Sequence, residues 1–317
     1  MYDYWRLLIV DRQQIQTILN NPLFDFKQKF EKTTAELHEF PQEAKYKNWE
    51  IEAFSPTHLL IKGSIHKFYN GGTNETDFTI SDAVKAIETF CNLFKLDPAL
   101  ARVTNLEFAV NVCPAQCASD IIDQIICFKN TRPTRPYESR KDYYFIEFDI
   151  GDYYVKVYDK GKQYKGANML RFEVKGVKNR YFDFAGITTL KDLTVQKTMQ
   201  LLGVKINEVF KDVVFNDDTI ELSNLSTADK KNYLLMKDAN EWAKYKKKKT
   251  STHRCRENRF RAIVREHGKR KTQENLATLI NNKTTELTNK RSLAVFTSKY
   301  TMKTNNYHIT NTALIAP

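Results

Sequence analysis

The residues able to do chemistry in this sequence sit on short alternating runs. In Tyr153-Tyr-Val-Lys-Val-Tyr-Asp-Lys160, Val155 and Val157 alternate with polar side chains, the period-2 pattern of a half-buried strand. Tyr154, Lys156, Tyr158 and Lys160 then share one face. Leu170-Arg-Phe-Glu-Val-Lys175 repeats the device, with Arg171, Glu173 and Lys175 opposite Phe172 and Val174. Residues 104–112 do so again: Asn105, Glu107, Ala109 and Asn111 face one way, Leu106, Phe108, Val110 and Val112 the other. If these strands form one antiparallel sheet with their polar faces together, Glu107 and Glu173 lie near Tyr158 and Lys160, with Asn111 and His66 as further candidates. Two carboxylates with an amide or imidazole suit a hard divalent ion, Mg²⁺ or Mn²⁺. Such an ion polarises a phosphate and neutralises charge in the transition state. A tyrosine hydroxyl attacking phosphorus keeps the phosphate as an ester. A nearby lysine steadies the phenolate, which an unperturbed tyrosine does not form at neutral pH.

The elements that must position these residues follow from the rest of the chain. Strands are predicted over residues 4–10, 49–54, 58–69 and 142–148, the last joined to Tyr153 by the turn Asp149-Ile-Gly-Asp152. Helical patterns fall at 13–19, 33–40, 77–95 and 117–128, the last with Ile121, Ile122, Ile125 and Ile126 as its buried stripe. After residue 178, short helices are predicted over 181–184, 190–202 and 204–210, then a long one over 227–249 ending in Lys246-Lys-Lys-Lys249. Residues 130–141 read as a basic loop, and the last forty residues, rich in Thr and Asn, as loosely ordered. The pattern is that of an α+β chain: residues 1–205 as a sheet-based domain with its core at 58–193, and 206–317 as a basic, mainly helical region.

Charge narrows the partners. Across 317 residues, 50 Lys+Arg oppose 38 Asp+Glu, for a net charge of +12. That balance favours a polyanion, nucleic acid before an anionic membrane surface. Arg254, Arg256, Arg259, Arg261 and Arg265 with Lys269–Lys271 form a basic tract that reads as a nucleic-acid contact. The five cysteines are odd in number and irregularly spaced, which argues against a disulfide framework. Cys113 and Cys117 lack the further ligands of a tetrahedral zinc site. There is no signal-peptide pattern, no membrane-length apolar stretch and no Gly-rich phosphate loop, so a soluble intracellular protein is expected.

The order Gly63-Ser-Ile-His-Lys-Phe-Tyr-Asn-Gly-Gly72, Asn105-Leu-Glu-Phe-Ala-Val-Asn111, Val157-Tyr-Asp-Lys160 and Leu170-Arg-Phe-Glu-Val-Lys175 resembles rolling-circle replication initiators. The likeness is to the replication proteins of filamentous phages and to plasmid initiators of the transposable-Rep type, and it covers residues 58–193. The resemblance implies a HUH-related central antiparallel sheet flanked by helices. The absence of a His-hydrophobe-His triplet matches the degenerate branch of that superfamily. It also implies a metal-dependent nicking and joining endonuclease of the bacterial cytoplasm, in which Tyr158, in its Tyr-x-Lys context with Lys160, becomes 5′-phosphotyrosyl. Glu107 and Glu173 match its metal ligands. Tyr153, Tyr154 and Tyr164 are rival nucleophiles, and Tyr154 ranks second because it shares the face of Tyr158.

The expected substrate is single-stranded or hairpin origin DNA. Lys156, Arg171, Arg132, Arg135 and Lys160 would touch phosphates, and Lys246, Lys247, Arg256 and Arg259 would add affinity for duplex. A host or replicon helicase and a homodimer are the further partners implied. A mobilisation relaxase using the same chemistry, and a non-catalytic origin- or operator-binding protein, are the alternative readings.

Overall fold

The computed structural model describes residues 1–31, 36–134, 144–246 and 250–289. In chain order its strands are β1 (Tyr2–Ile9), β2 (Lys27–Glu31), β3 (Glu36–Tyr46), β4 (Trp49–Ser55), β5 (His58–Ser64), β6 (Ala101–Val112), β7 (Ile125–Phe128), β8 (Phe145–Asp149), β9 (Tyr153–Asp159), β10 (Leu170–Gly176) and β11 (Val213–Phe215). Its helices are α1 (Arg12–Leu19), α2 (Ile65–Tyr69), α3 (Ile80–Phe94), α4 (Ala118–Asp123), α5 (Lys160–Tyr164), α6 (Gln196–Lys211), α7 (Thr227–Met236), α8 (Ala239–Ala243), α9 (Ser251–His267) and α10 (Thr272–Thr288). The class is α+β, as the pattern of strands and helices implied. Among the described residues one antiparallel sheet runs β2-β3-β4-β5-β1-β6-β10-β9-β8, and β11 pairs with β7 apart from it.

The alternation decides which way each side chain points. Leu106, Phe108, Val110, Val155, Val157, Phe172 and Val174 are all buried on one face of the sheet. There they join Trp5, Trp49 and the stripe of α3 in one core; Trp49 and Phe90 ring centroids are 4.6 Å apart, and Phe90 and Phe94 4.2 Å. α3 starts at a capping box, Thr79 with Asp82, which satisfies two otherwise unpaired amides of its first turn. Gly63 lets β5 run tight under the Trp49 ring: a Cβ there would lie 2.4 Å from Trp49 Cε3 and 2.6 Å from the Asn48 carbonyl oxygen. Gly63→Ala is therefore expected to destabilise by about 1–3 kcal/mol, read from a denaturant melt. An unchanged midpoint would show that strand and ring separate freely.

The chain departs from the sequence-based expectation at several elements. Residues 36–40, expected helical, begin β3; residues 32–35 lie outside the described set. The run 58–69 ends as a strand at Ser64, whose hydroxyl caps α2 by accepting from the Lys67 amide. The helix at 117–128 stops at Asp123, and Ile125 and Ile126 enter β7 instead. The strand expected to reach Lys160 ends at Asp159, which caps α5. The break expected at 203 and the loose order expected of residues 278–288 give way to helix, while residues 290–317 lie outside the described set. α6 runs unbroken through Gly203, which faces Thr284 and Thr288 of α10. α10 is ordered to Thr288, with Leu276, Ile280 and Leu287 in the main core. Of the long helix expected at 227–249, residues 227–243 form two shorter ones, α7 and α8, and residues 247–249 lie outside the described set.

Residue 205, the expected domain boundary, thus falls inside α6, and α10 packs on the first core. A second, smaller core (Ile126, Val214, Tyr233, Met236, Trp242, Phe260, Ile263) holds α7, α8 and α9 beside β7 and β11. No helix among the described residues is long and apolar enough to cross a membrane.

Candidate active site on the polar sheet face

Strand register places the candidate residues side by side. Arg171 of β10 lies between Asn111 of β6 and Tyr158 of β9; Glu173 between Ala109 and Lys156; Lys175 between Glu107 and Tyr154. All share one face, because antiparallel partners directly opposite each other point the same way.

The centre of this face is a buried ionic network. The Tyr158 hydroxyl donates to Glu173 Oε2 at 3.3 Å. Arg171, only 2% exposed, donates Nε to Glu173 at 3.0 Å, Nη1 to Asn111 Oδ1 at 3.0 Å and Nη2 to Asp3 Oδ2 at 2.6 Å. Glu107 pairs with Lys175 at 2.8 Å. Carboxylate oxygens of Asp3, Glu107 and Glu173 all lie within 4.8 Å of one another. Burial, then the neighbouring Glu173 charge, pushes the Glu107 carboxyl up to about 7 against the pull of Lys175. Three hard oxygen donors this close together, one of them raised by burial and then by a neighbour's charge, suit a small divalent cation, which would offset the negative charge gathered there.

Asp3 was absent from the candidates read off the sequence. Strict alternation puts it on the face of Trp5 and Leu7, which is buried in the core. A register irregularity between Tyr2 and Trp5 where β1 meets β6 turns it toward Arg171 instead. The remaining signal was an acid immediately before a mainly apolar run.

Lys160 reaches the same centre from the first turn of α5 rather than from the strand. It is 1% exposed, and its Nζ donates to Asn74 Oδ1 at 2.6 Å and Gln163 Oε1 at 2.9 Å. It sits 5.5 Å from the Tyr158 ring centroid and 4.7 Å from that of Tyr164. Burial, with Arg171 nearby, lowers its ammonium to about 7. His66, stacked on Phe78 at 4.7 Å, is kept neutral, its pKa lowered to about 3 by burial first. It lies outside the three-carboxylate group, and Asn111 is engaged by Arg171 and by the Glu75 carbonyl, to which its amide donates at 3.0 Å.

The expected DNA contacts divide. Arg171 is buried in the network, so its guanidinium is not presented to a phosphate. Lys156 pairs with Glu147 at 3.4 Å. Arg259 forms a bidentate pair with Asp229, at 2.5 and 2.6 Å, that ties α9 to α7. Arg256 is half-buried on α9. Arg132 is exposed and donates to Asn240 at 2.8 Å, and Lys246 is exposed beside Lys129 and Arg261 around a notch of about 280 Å³. Arg135 and Lys247 lie outside the described residues. Of the rival tyrosines, Tyr153 points into the core and stacks on Tyr181 at 4.4 Å; Tyr154 stays on the polar face.

Because Arg171 bridges two buried carboxylates, Arg171→Met should destabilise by about 3–5 kcal/mol at neutral pH. A denaturant midpoint within error of wild type would show that the network is not holding the sheet face together.

No family model matches the sequence, and no curated protein is significantly similar to it. Among solved structures the chain is similar to a rolling circle replication initiator protein from Geobacillus stearothermophilus. The two are 10% identical over 73% of this chain and 89% of that one, with a TM-score of 0.39.

Proposed function

We propose that this protein is a replication initiator that nicks and rejoins origin DNA through Tyr158. The observation that carries the reading is the Tyr158 hydroxyl bonded to one of three clustered carboxylates, beside a buried lysine. Asp3, Glu107 and Glu173 would hold Mg²⁺ or Mn²⁺, which when bound polarises the scissile phosphate and offsets its charge. Tyr158 Oη attacks phosphorus, the P–O3′ bond breaks, and the 3′ oxygen leaves with a proton. The products are a 5′-phosphotyrosyl ester and a free 3′-hydroxyl, and rejoining is the reverse.

Lys160 and Tyr158 act as a pair. Once Lys160 has lost a proton, which its lowered pKa allows near pH 7, its amine can take up the Tyr158 proton as attack proceeds. The neutral amine is the active state, so cleavage rises with pH through this region. Arg171 fixes Asp3 and Glu173. Arg132, Lys246 and exposed cations of α9 such as Arg254 would bind phosphates without reading sequence.

A second reading has its own support. Arg171 and Lys175 already neutralise much of the acidic cluster, as in a purely structural network serving a non-catalytic origin-binding protein. The test is a labelled single-stranded DNA library incubated with the protein in Mn²⁺ or EDTA, then run on a denaturing gel. A metal-dependent covalent adduct supports nicking; tight, salt-sensitive binding without any adduct supports the second reading.

A further inference from the structure

The loop between α2 and α3 contributes a residue that neither the resemblance nor the carboxylate cluster points to. Asn74 is buried, and both ends of its side-chain amide are engaged. Nδ2 donates to Asp3 Oδ2 at 2.6 Å, while Oδ1 accepts from Lys160 Nζ at 2.6 Å and from the Tyr164 hydroxyl at 2.7 Å. Its backbone amide donates back to the same hydroxyl at 3.3 Å. The loop is pinned on both sides: Asn70 Nδ2 donates to Thr76 Oγ1 at 2.7 Å, and the Glu75 carbonyl accepts from Asn111 at 3.0 Å. Gly71 and Gly72, at φ 67° and 112°, allow the turn that brings the loop over the sheet.

A carboxylate on one side needs a donor and an ammonium on the other needs an acceptor. A short primary amide offers both at once. Aspartate would set a second carboxylate against Asp3, and alanine would leave both charges without this partner. We propose that Asn74 is a positioning residue whose amide holds the Lys160 amine between the Tyr158 and Tyr164 rings while its other end aims Asp3 at the carboxylate cluster. This rests on the nicking reading for its catalytic meaning, though not for its geometry. The groups acting on Lys160 are Asp3 from β1, Lys67 from α2, Arg171 and Glu173 from β10, Tyr158 from β9, and Gln163 and Tyr164 from α5.

The test follows Lys160 directly in the full chain carrying [ε-¹³C]lysine, with Lys160→Arg assigning its signal. Titrations of wild type, Asn74→Ala and Asn74→Asp are compared, with thermal melts to establish folding. In wild type the signal should titrate near pH 7. In Asn74→Asp it should move up by about one unit or more, because a new anion favours the ammonium. In Asn74→Ala it should move down by about half a unit, because a bond to the charged form is lost. The acid limb of adduct formation should shift in step, which a merely structural residue would not cause. Folded variants whose Lys160 titration coincides with wild type overturn the proposal, and Asn74→Ala alone decides if the aspartate variant does not fold. A titration that moves as expected in a protein that never forms an adduct keeps the positioning role and removes the nicking reading.

Discussion

Tyr158→Phe is expected to lower adduct formation by at least about 10³-fold while leaving single-stranded DNA binding within about twofold. The substitution deletes one oxygen and keeps the ring that packs beside Lys160. Glu173 loses a donor at 3.3 Å but remains held by Arg171 at 3.0 Å, so the structural cost should stay near 1 kcal/mol. A large catalytic loss therefore cannot be put down to unfolding. The measurement is single-turnover cleavage with a denaturing gel for the covalent product. An adduct that persists in the Phe variant would shift the nucleophile to Tyr154, on the same face, or to Tyr164 beside Lys160; Tyr153, pointing into the core, is the poorest substitute.

Glu107→Gln should produce opposite effects on activity and on metal-free stability. With the Glu107 carboxyl raised from 4.5 to about 7 in the folded protein, the contribution of this group to stability is full below pH 4.5 and is lost as pH rises through about 7. Above that pH the wild type carries a buried carboxylate that folding disfavours, by an amount of order 3 kcal/mol at most. Glutamine does not titrate. The metal-free variant should therefore melt higher than wild type at pH 8, less whatever the lost Lys175 pair contributed, and show no such advantage at pH 4.5. With Mn²⁺ added the ranking should reverse: wild type gains melting temperature at pH 8 and little at pH 5.5, the variant gains little at either, and nicking falls by about 10²-fold or more. Equal Mn²⁺-induced shifts in both proteins would remove Glu107 from the metal site.

What the sequence made legible, and what it hid, follows from the range of the interactions involved. Alternation is written locally, so the faces of residues 104–112, 153–158 and 170–175 could be assigned from residue types alone, and Glu107, Tyr158 and Glu173 with them. Asp3 was hidden because the expected strand began at Tyr4, one residue beyond it, and because a register irregularity reverses the parity of the strand's first residues. Lys160 was placed near Tyr158 for an incomplete reason: it lies beside that ring from a helical turn that Asp159 caps, not from the strand. Asn74 sits in a Gly-rich loop with no periodicity to betray it. The isoleucines at 125 and 126 matched a helical stripe, yet Ile125 found its partner in Phe215, ninety residues on. Arg171 and Arg259 looked like phosphate ligands because charge is visible in a sequence and ion pairing is not.

The place of β1 gives the site a dependence on time. This strand lies between β5 and β6 and joins the two halves of the sheet, and it also carries Asp3. The groups that meet at the centre come from positions 3, 74, 107, 158, 160 and 173, so the contacts that define it close loops of up to about 170 residues. Such contacts form late, because the entropy of long-range closure must be overcome before they return any stabilisation. A chain still being synthesised, or one with the sheet half assembled, holds its tyrosine and its carboxylates apart. On the reading proposed here, a molecule able to break DNA acquires that ability only when the whole sheet is in place, and loses it when β1 is displaced.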